Sequence, residues 1–139
     1  MPSFGNKSKE RLATIDPRLV KVLTEAIKLM DFTVLCGHRT LAEQQALYAQ
    51  GRTEPGNIVT KCDGIIRKSN HQTSPSVAVD IAPWPVDWDD VQSFVYLAGL
   101  VMGLSVSMGI PVRWGGDWNR NYILDDDRFD DLPHLELKP

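Results

Sequence analysis

A carboxylate inside an apolar run places the strongest constraint on this chain. Val77, Ala78, Val79 and Ile81 read as a short buried strand, and Asp80 sits within it. A buried acid is costly unless it is paired or binds a metal, so the fold must bring partners to Asp80. Upstream of it, His71 stands in a polar stretch where Thr73, Ser74, Pro75 and Ser76 keep the chain out of regular structure.

The 139 residues suffice for one domain with a core of its own, spanning 1–139. A net charge of -3 supplies no basic field that would recruit nucleic acid. Cys36 and Cys62 do not form a disulfide framework; Cys36 lies in an apolar run and reads as a small buried hydrophobe, and two free thiols are favoured over a bridge. The N-terminal segment has no apolar stretch of the kind a signal peptide needs. Phe94 to Val112 is free of charge, but Gly99, Gly103, Gly109 and Pro111 interrupt it, so it reads as a core helix, a turn and a strand rather than a membrane span.

In chain order, residues 1–15 read as a polar, irregular arm. Asp16-Pro17 starts an amphipathic helix that runs to about Met30. Phe32 to Cys36 is a strand ended by Gly37. Thr40-Leu-Ala-Glu43 is a capping box opening a helix to about Gln50, so Arg39 stands at a strand-to-helix junction. Residues 51–76 are loop, long enough to suggest a functional role. After the Asp80 strand, a helix is predicted from about Trp88 to Met108, a strand from Ile110 to Trp114, an acidic loop from Asp117 to Asp131, and a last strand from His134 to Leu137. Helices and strands mix without a βαβ rhythm, so the fold class is α+β with a small, mainly antiparallel sheet and flanking helices.

His71, Asp80 and His134 offer two imidazoles and a carboxylate, a donor set that suits zinc with a position left for water. On the residues alone, Asp80 could equally be paired with Arg39, and the histidines could be surface or core residues. The four tryptophans, Trp84, Trp88, Trp114 and Trp118, read as core and rim aromatics, with Trp118 able to line a cleft. Asp117, Asn119 and Asn121 alternate like the first ligands of a calcium loop, although Tyr122 and Arg128 stand where such loops carry glycine and glutamate.

The pattern Ser69-x-His71, Ala78-x-Asp80 and Asp131-x-x-His134 resembles the zinc peptidases of the D-alanyl-D-alanine carboxypeptidase and hedgehog-fold group. Gly37-His38-Arg39-Thr40 with Gln44 resembles that group's Gly-x-Arg stretch and following glutamine. The N-terminal part, Phe4-Gly5 through Asp16-Pro17 into Phe32-Thr-Val, and Trp114-Gly-Gly-Asp-Trp118 most resemble phage endolysins that are L-alanyl-D-glutamate peptidases. One departure stands out: the family's common histidine-to-aspartate spacing is shorter, and its glycine is replaced here within Ser74-Pro75-Ser76.

The resemblance implies that His71, Asp80 and His134 bind one zinc ion. It gives Asp131 the general-base role, taking a proton from water and passing it to the leaving amine, with the neighbouring Asp130 as the alternative. It gives Arg39 the developing oxyanion or a substrate carboxylate, and Gln44 and Ser69 substrate or supporting hydrogen bonds. His38 has no family counterpart and reads as a rim residue or structural donor. The implied activity is hydrolysis of the L-alanyl-D-glutamate bond of the peptidoglycan stem peptide by a monomeric lysis enzyme. Such an enzyme waits in the host cytoplasm and reaches the wall through a holin-type membrane lesion. The alternatives are a D,D-carboxypeptidase or D,D-dipeptidase on the same fold, and a metal-binding module without catalysis.

Overall fold

The computed structural model describes residues 2–124 and 130–138. Among these residues, four helices, α1 (Asn6–Leu12), α2 (Pro17–Ala26), α3 (Leu41–Ala49) and α4 (Val91–Ser107), accompany four strands, β1 (Phe32–Cys36), β2 (Ala78–Pro83), β3 (Val112–Gly115) and β4 (Asp131–Leu137). The sheet order is β1-β2-β4-β3 and every pairing is antiparallel. The fold is therefore the expected α+β arrangement, with β2 and β4 at its centre.

Side chains alternate across a strand, so the two faces of the sheet divide the work. Val34, Val79, Ile81, Val112, Trp114, Leu135 and Leu137 join the core with Leu19, Val22 and Leu23 of α2 and Leu97, Ala98 and Val101 of α4. The intervening positions, Asp80 on β2, His134 and Glu136 on β4, and Arg113 on β3, point to the opposite face. A register shift between Val34 and Cys36 sets Cys36 opposite Asp80. Such a bulge re-aims a side chain, and here it turns Cys36 onto the polar face.

The N-terminal arm is a correction. Residues 6–12 form α1, which lies along β1, an edge strand of the sheet. Ser8 is buried, its Oγ accepts from the Val34 amide at 3.0 Å, and Arg11 Nη1 donates to the Val34 carbonyl at 2.7 Å. Polar side chains here satisfy the open backbone of an edge strand, while Leu12 and Ile15 enter the core. A local composition reading sees only the polarity.

Other elements match with shifted ends. The capping box at Thr40 and Glu43 is present, with both bonds formed. Asp16 caps α2, with Pro17 at its first position. The last strand starts earlier than expected, at Asp131. Within the expected loop 51–76, a 3-10 turn forms over Asn70–Gln72. Among the described residues, no helix is long and apolar enough to cross a membrane. Asp125, Asp126, Asp127 and Arg128 lie outside the described residues.

Candidate active site

The site is assembled from the 3-10 turn, β2 and β4. The Ser69 hydroxyl caps the turn by accepting from the His71 amide at 3.2 Å, and the Gln72 side chain accepts from the Ser69 amide at 2.8 Å. The long connection to Asp80 is tied down at several points. Thr73 Oγ1 donates to the Pro75 carbonyl at 3.0 Å and accepts from the Val77 amide at 3.1 Å. His38 Nδ1 lies 2.9 Å from the Thr73 carbonyl, so His38 is a structural donor. The Ser76 amide donates to Thr14 and its carbonyl accepts from Asp16, at 2.9 and 2.8 Å. The N-terminal segment thus fastens the unusual turn, and the longer spacing still delivers His71 to Asp80.

Asp80 and His134 are directly opposite one another on β2 and β4. His134 Nδ1 is 3.2 Å, and His71 Nε2 3.3 Å, from the same Asp80 oxygen, Oδ1. The far nitrogens of both rings are occupied: His71 Nδ1 is 2.7 Å from the Gly37 carbonyl, and His134 Nε2 is 2.8 Å from Glu136 Oε1. Outer bonds of this kind fix the tautomer and leave the inner nitrogens free to ligate. His71 Nε2 is buried and has no aligned hydrogen-bond partner despite its closeness to Asp80. Burying such an atom unpaired is costly, and a cation among the three side chains would satisfy it. The residues present therefore fit a metal ion.

Cys36 adds a fourth donor. Its sulfur, an imidazole nitrogen of His71 and an Asp80 oxygen lie within 4.8 Å of one another, a group that could hold a metal ion. The sulfur is 3.9 Å from His71 Nδ1, the nitrogen already given to Gly37. Both cysteines are free thiols, and Cys36 is half-buried beside the site rather than a core hydrophobe.

Charges of the site's side chains reinforce one another. Burial opposes protonation of His71, but Asp80 and Cys36 outweigh it and raise its pKa to about 10. Burial likewise opposes protonation of His134, and bonds to Asp80 and Glu136 raise its pKa to about 9. Burial favours the neutral acid of Asp80, yet the hydrogen bond from His134 and the positive charge of the nearby His71 hold its carboxyl well below the usual range. Asp131 moves the other way, pushed up by burial and by the Asp80 charge.

Arg39 Nη2 is 3.7 Å from Asp80 Oδ2, and Arg39 Nη1 donates to Gln44 Oε1 at 2.7 Å. Gln44 is fully buried, and its amide nitrogen donates to the Cys62 carbonyl at 2.8 Å. The glutamine therefore orients Arg39 rather than facing the groove. Asp131 Oδ2 is 4.0 Å from His134 Nδ1, whereas Asp130 is exposed. Arg39, Ser69, His71, Asp80, Asp131 and His134 all line a groove of about 640 Å³, with Trp118 at its wall. Trp114 is core, whereas Trp84 and Trp88 are exposed, 60% and 61%, so neither is a core residue.

Gly115 pairs with Asp131 across β3 and β4. A Cβ at this glycine would collide with the Asp131 carbonyl oxygen and lie 2.9 Å from the Asp131 Cβ. Gly115→Ala should therefore shift the start of β4, and a misplacement of Asp131 near 1 Å costs about 100-fold in the rate of any reaction that this carboxylate serves. A turnover assay reads this directly, and a wild-type rate in that variant would show that Asp131 tolerates displacement.

A family model described as "Phage L-alanyl-D-glutamate peptidase" matches residues 2–138. The chain belongs to that family. It is 33% identical over 124 residues to an L-alanyl-D-glutamate peptidase of Escherichia phage T5, covering 84% of this chain and 81% of the relative. It is 34% identical over 122 residues to the peptidoglycan L-alanyl-D-glutamate endopeptidase CwlK of Bacillus subtilis, covering 82% of this chain and 65% of that one. The crystal structure of the Serratia marcescens L-Ala D-Glu endopeptidase ChiX superposes with a TM-score of 0.69 at 27% identity, covering 97% of this chain and 89% of that chain.

Within this peptidase family site, sequence reasoning missed Cys36, Asn70, Arg113 and Glu136. Glu136 had a readable signal: it lies two residues after His134 in a strand, so both side chains share a face. Cys36 had none, because the bulge that turns it is set by pairing between distant strands.

Proposed function

We propose that this chain is a zinc-dependent peptidoglycan peptidase that hydrolyses the L-alanyl-D-glutamate bond of the stem peptide, acting as a phage lysis enzyme. The observation that carries the reading is the convergence of His71 Nε2 and His134 Nδ1 on one oxygen of Asp80. These three side chains would hold the ion. Zinc supplies a Lewis acid that lowers the pKa of water and polarises a carbonyl.

Asp131 accepts a proton from the attacking water and returns it to the leaving amine. Water's oxygen bonds to the carbonyl carbon, the C–N bond breaks, and the products are an L-alanyl carboxylate and a D-glutamyl amine. Arg39, fixed by Gln44, presents its guanidinium to the carbonyl oxygen or to a substrate carboxylate, for which its planar fork is suited. Ser69 holds the His71 turn at the groove wall. The enzyme acts as a monomer and reaches the wall through a holin-type lesion.

Digestion of purified muropeptides followed by mass spectrometry tests the reading. A new D-glutamate amino terminus supports it. Release of D-alanine instead would assign a D,D-carboxypeptidase or dipeptidase.

Calcium binding at Asp117, Asn119 and Asn121 is a separate proposal. Asp117 is buried, and its carboxylate accepts from the backbone amides of Asn121 and Tyr122 at 3.2 and 3.0 Å, curling the loop around it. Melting temperature and activity that stay flat across a calcium titration would dispose of this site.

A further inference from the structure

Glu136 is a buried carboxylate that takes no part in the chemistry above, and its contacts reach both halves of the site. It is only 3% exposed. Oε1 is 2.8 Å from His134 Nε2. Oε2 accepts from Asn70 Nδ2 and from Arg113 Nη2, each at 2.9 Å. Asn70 is the residue immediately before His71 and belongs to the same 3-10 turn. Arg113 comes from β3, directly opposite Glu136.

We propose that Glu136 is a positioning residue that pre-assembles the metal site, fixing His134 through one oxygen and the His71 turn through the other. The inference rests on the zinc reading above. An imidazole that donates Nε2–H to a carboxylate has its Nδ1 lone pair free, and that nitrogen faces Asp80. The same carboxylate holds the turn carrying His71 against β4, across a sequence separation of 66 residues. A turn with so little regular structure gains a fixed position relative to the strand that bears the other imidazole. Arg113 supplies the positive charge that lets Glu136 stay ionised in a buried setting; without it the acid would be an unpaired buried charge. Carboxylate partners of ligating histidines commonly change metal affinity or activity by about 10- to 100-fold.

Glu136→Gln preserves shape and removes the charge, and competition between protein and a chromogenic chelator for zinc measures the result. The expected outcome is zinc binding weakened by about 10- to 100-fold, with the metal-free variant still melting cooperatively. Proton NMR of the zinc-loaded wild type should show the His134 Nε2–H resonance far downfield, and that resonance should move in Glu136→Gln. Asn70→Ala, at an exposed position, keeps the test sharp if Glu136→Gln fails to fold. It should weaken zinc binding several-fold and leave the His134 resonance in place. Zinc affinity within twofold of wild type in every folded variant, with wild type binding zinc, overturns the positioning role and leaves the zinc reading standing. A wild-type protein that binds no zinc overturns both.

Discussion

Asp131→Asn should lower kcat for stem-peptide hydrolysis by about 10²- to 10⁴-fold, the contribution of a positioned general base. The substitution keeps the side chain's size at the first residue of β4, and its neighbours Asp80 and His134 are untouched. Zinc content and melting temperature should therefore match wild type. Asp131 lines the same groove as His134, 4.0 Å from its Nδ1, where it can reach an attacking water, and its position is enforced by the contact with Gly115. Burial and the Asp80 charge raise its pKa, which strengthens it as a proton acceptor relative to an ordinary exposed aspartate. Asp130→Asn, by contrast, alters an exposed residue and should leave kcat close to wild type. Full activity in Asp131→Asn would remove this residue from the proton path.

Zinc should stabilise the protein more strongly as pH rises. In the metal-free fold both site histidines have pKa values raised from 6.5, to about 10 for His71 and about 9 for His134. Their stabilising contribution is complete below pH 6.5 and is lost as pH climbs through those folded values. Asp80 has its pKa lowered from 3.8, so its contribution is present above that value and is lost in acid. The metal-free protein thus keeps the full contribution of this site between about pH 4 and 6.5.

A bound metal ion requires both imidazoles to be neutral, so binding near pH 7 expels a proton from each. Two protons released per ion make the apparent affinity rise by about 100-fold per pH unit. The zinc-induced increase in melting temperature should widen steadily from pH 6 to pH 8, because stabilisation follows the ratio of ligand concentration to Kd. Calorimetry in buffers of different ionisation enthalpy should count about two protons per zinc. A zinc-induced shift that is flat across this range would mean that the histidines are not protonated in the metal-free state or are not the ligands.

Much of this architecture is legible in the sequence because local signals and tertiary structure agree. Asp16-Pro17 and the Thr40–Glu43 box are local helix-start signals that need no distant partner, and both open helices here. Asp80 in its apolar strand demanded partners, and His134 stands directly opposite it. The misses have a common cause. The first helix is short and polar, and it exists because β1 has an open edge for Ser8 and Arg11 to cover. Asn70, Arg113 and Glu136 become a group only when the turn, β3 and β4 are brought together. Of the two roles expected for Gln44, substrate contact or supporting hydrogen bonds, its burial leaves the second, toward Arg39 and Cys62, a choice that only the folded chain makes. Each depends on contacts between segments far apart in the chain, which local periodicity does not encode.

Metal analysis of the purified protein, with His134→Ala beside it, tests the central claim most directly. A peptidase built on His71, Asp80 and His134 carries one zinc per chain in wild type and loses it in the variant. Wild-type protein without a stoichiometric divalent ion, or a variant that retains zinc fully, would contradict it.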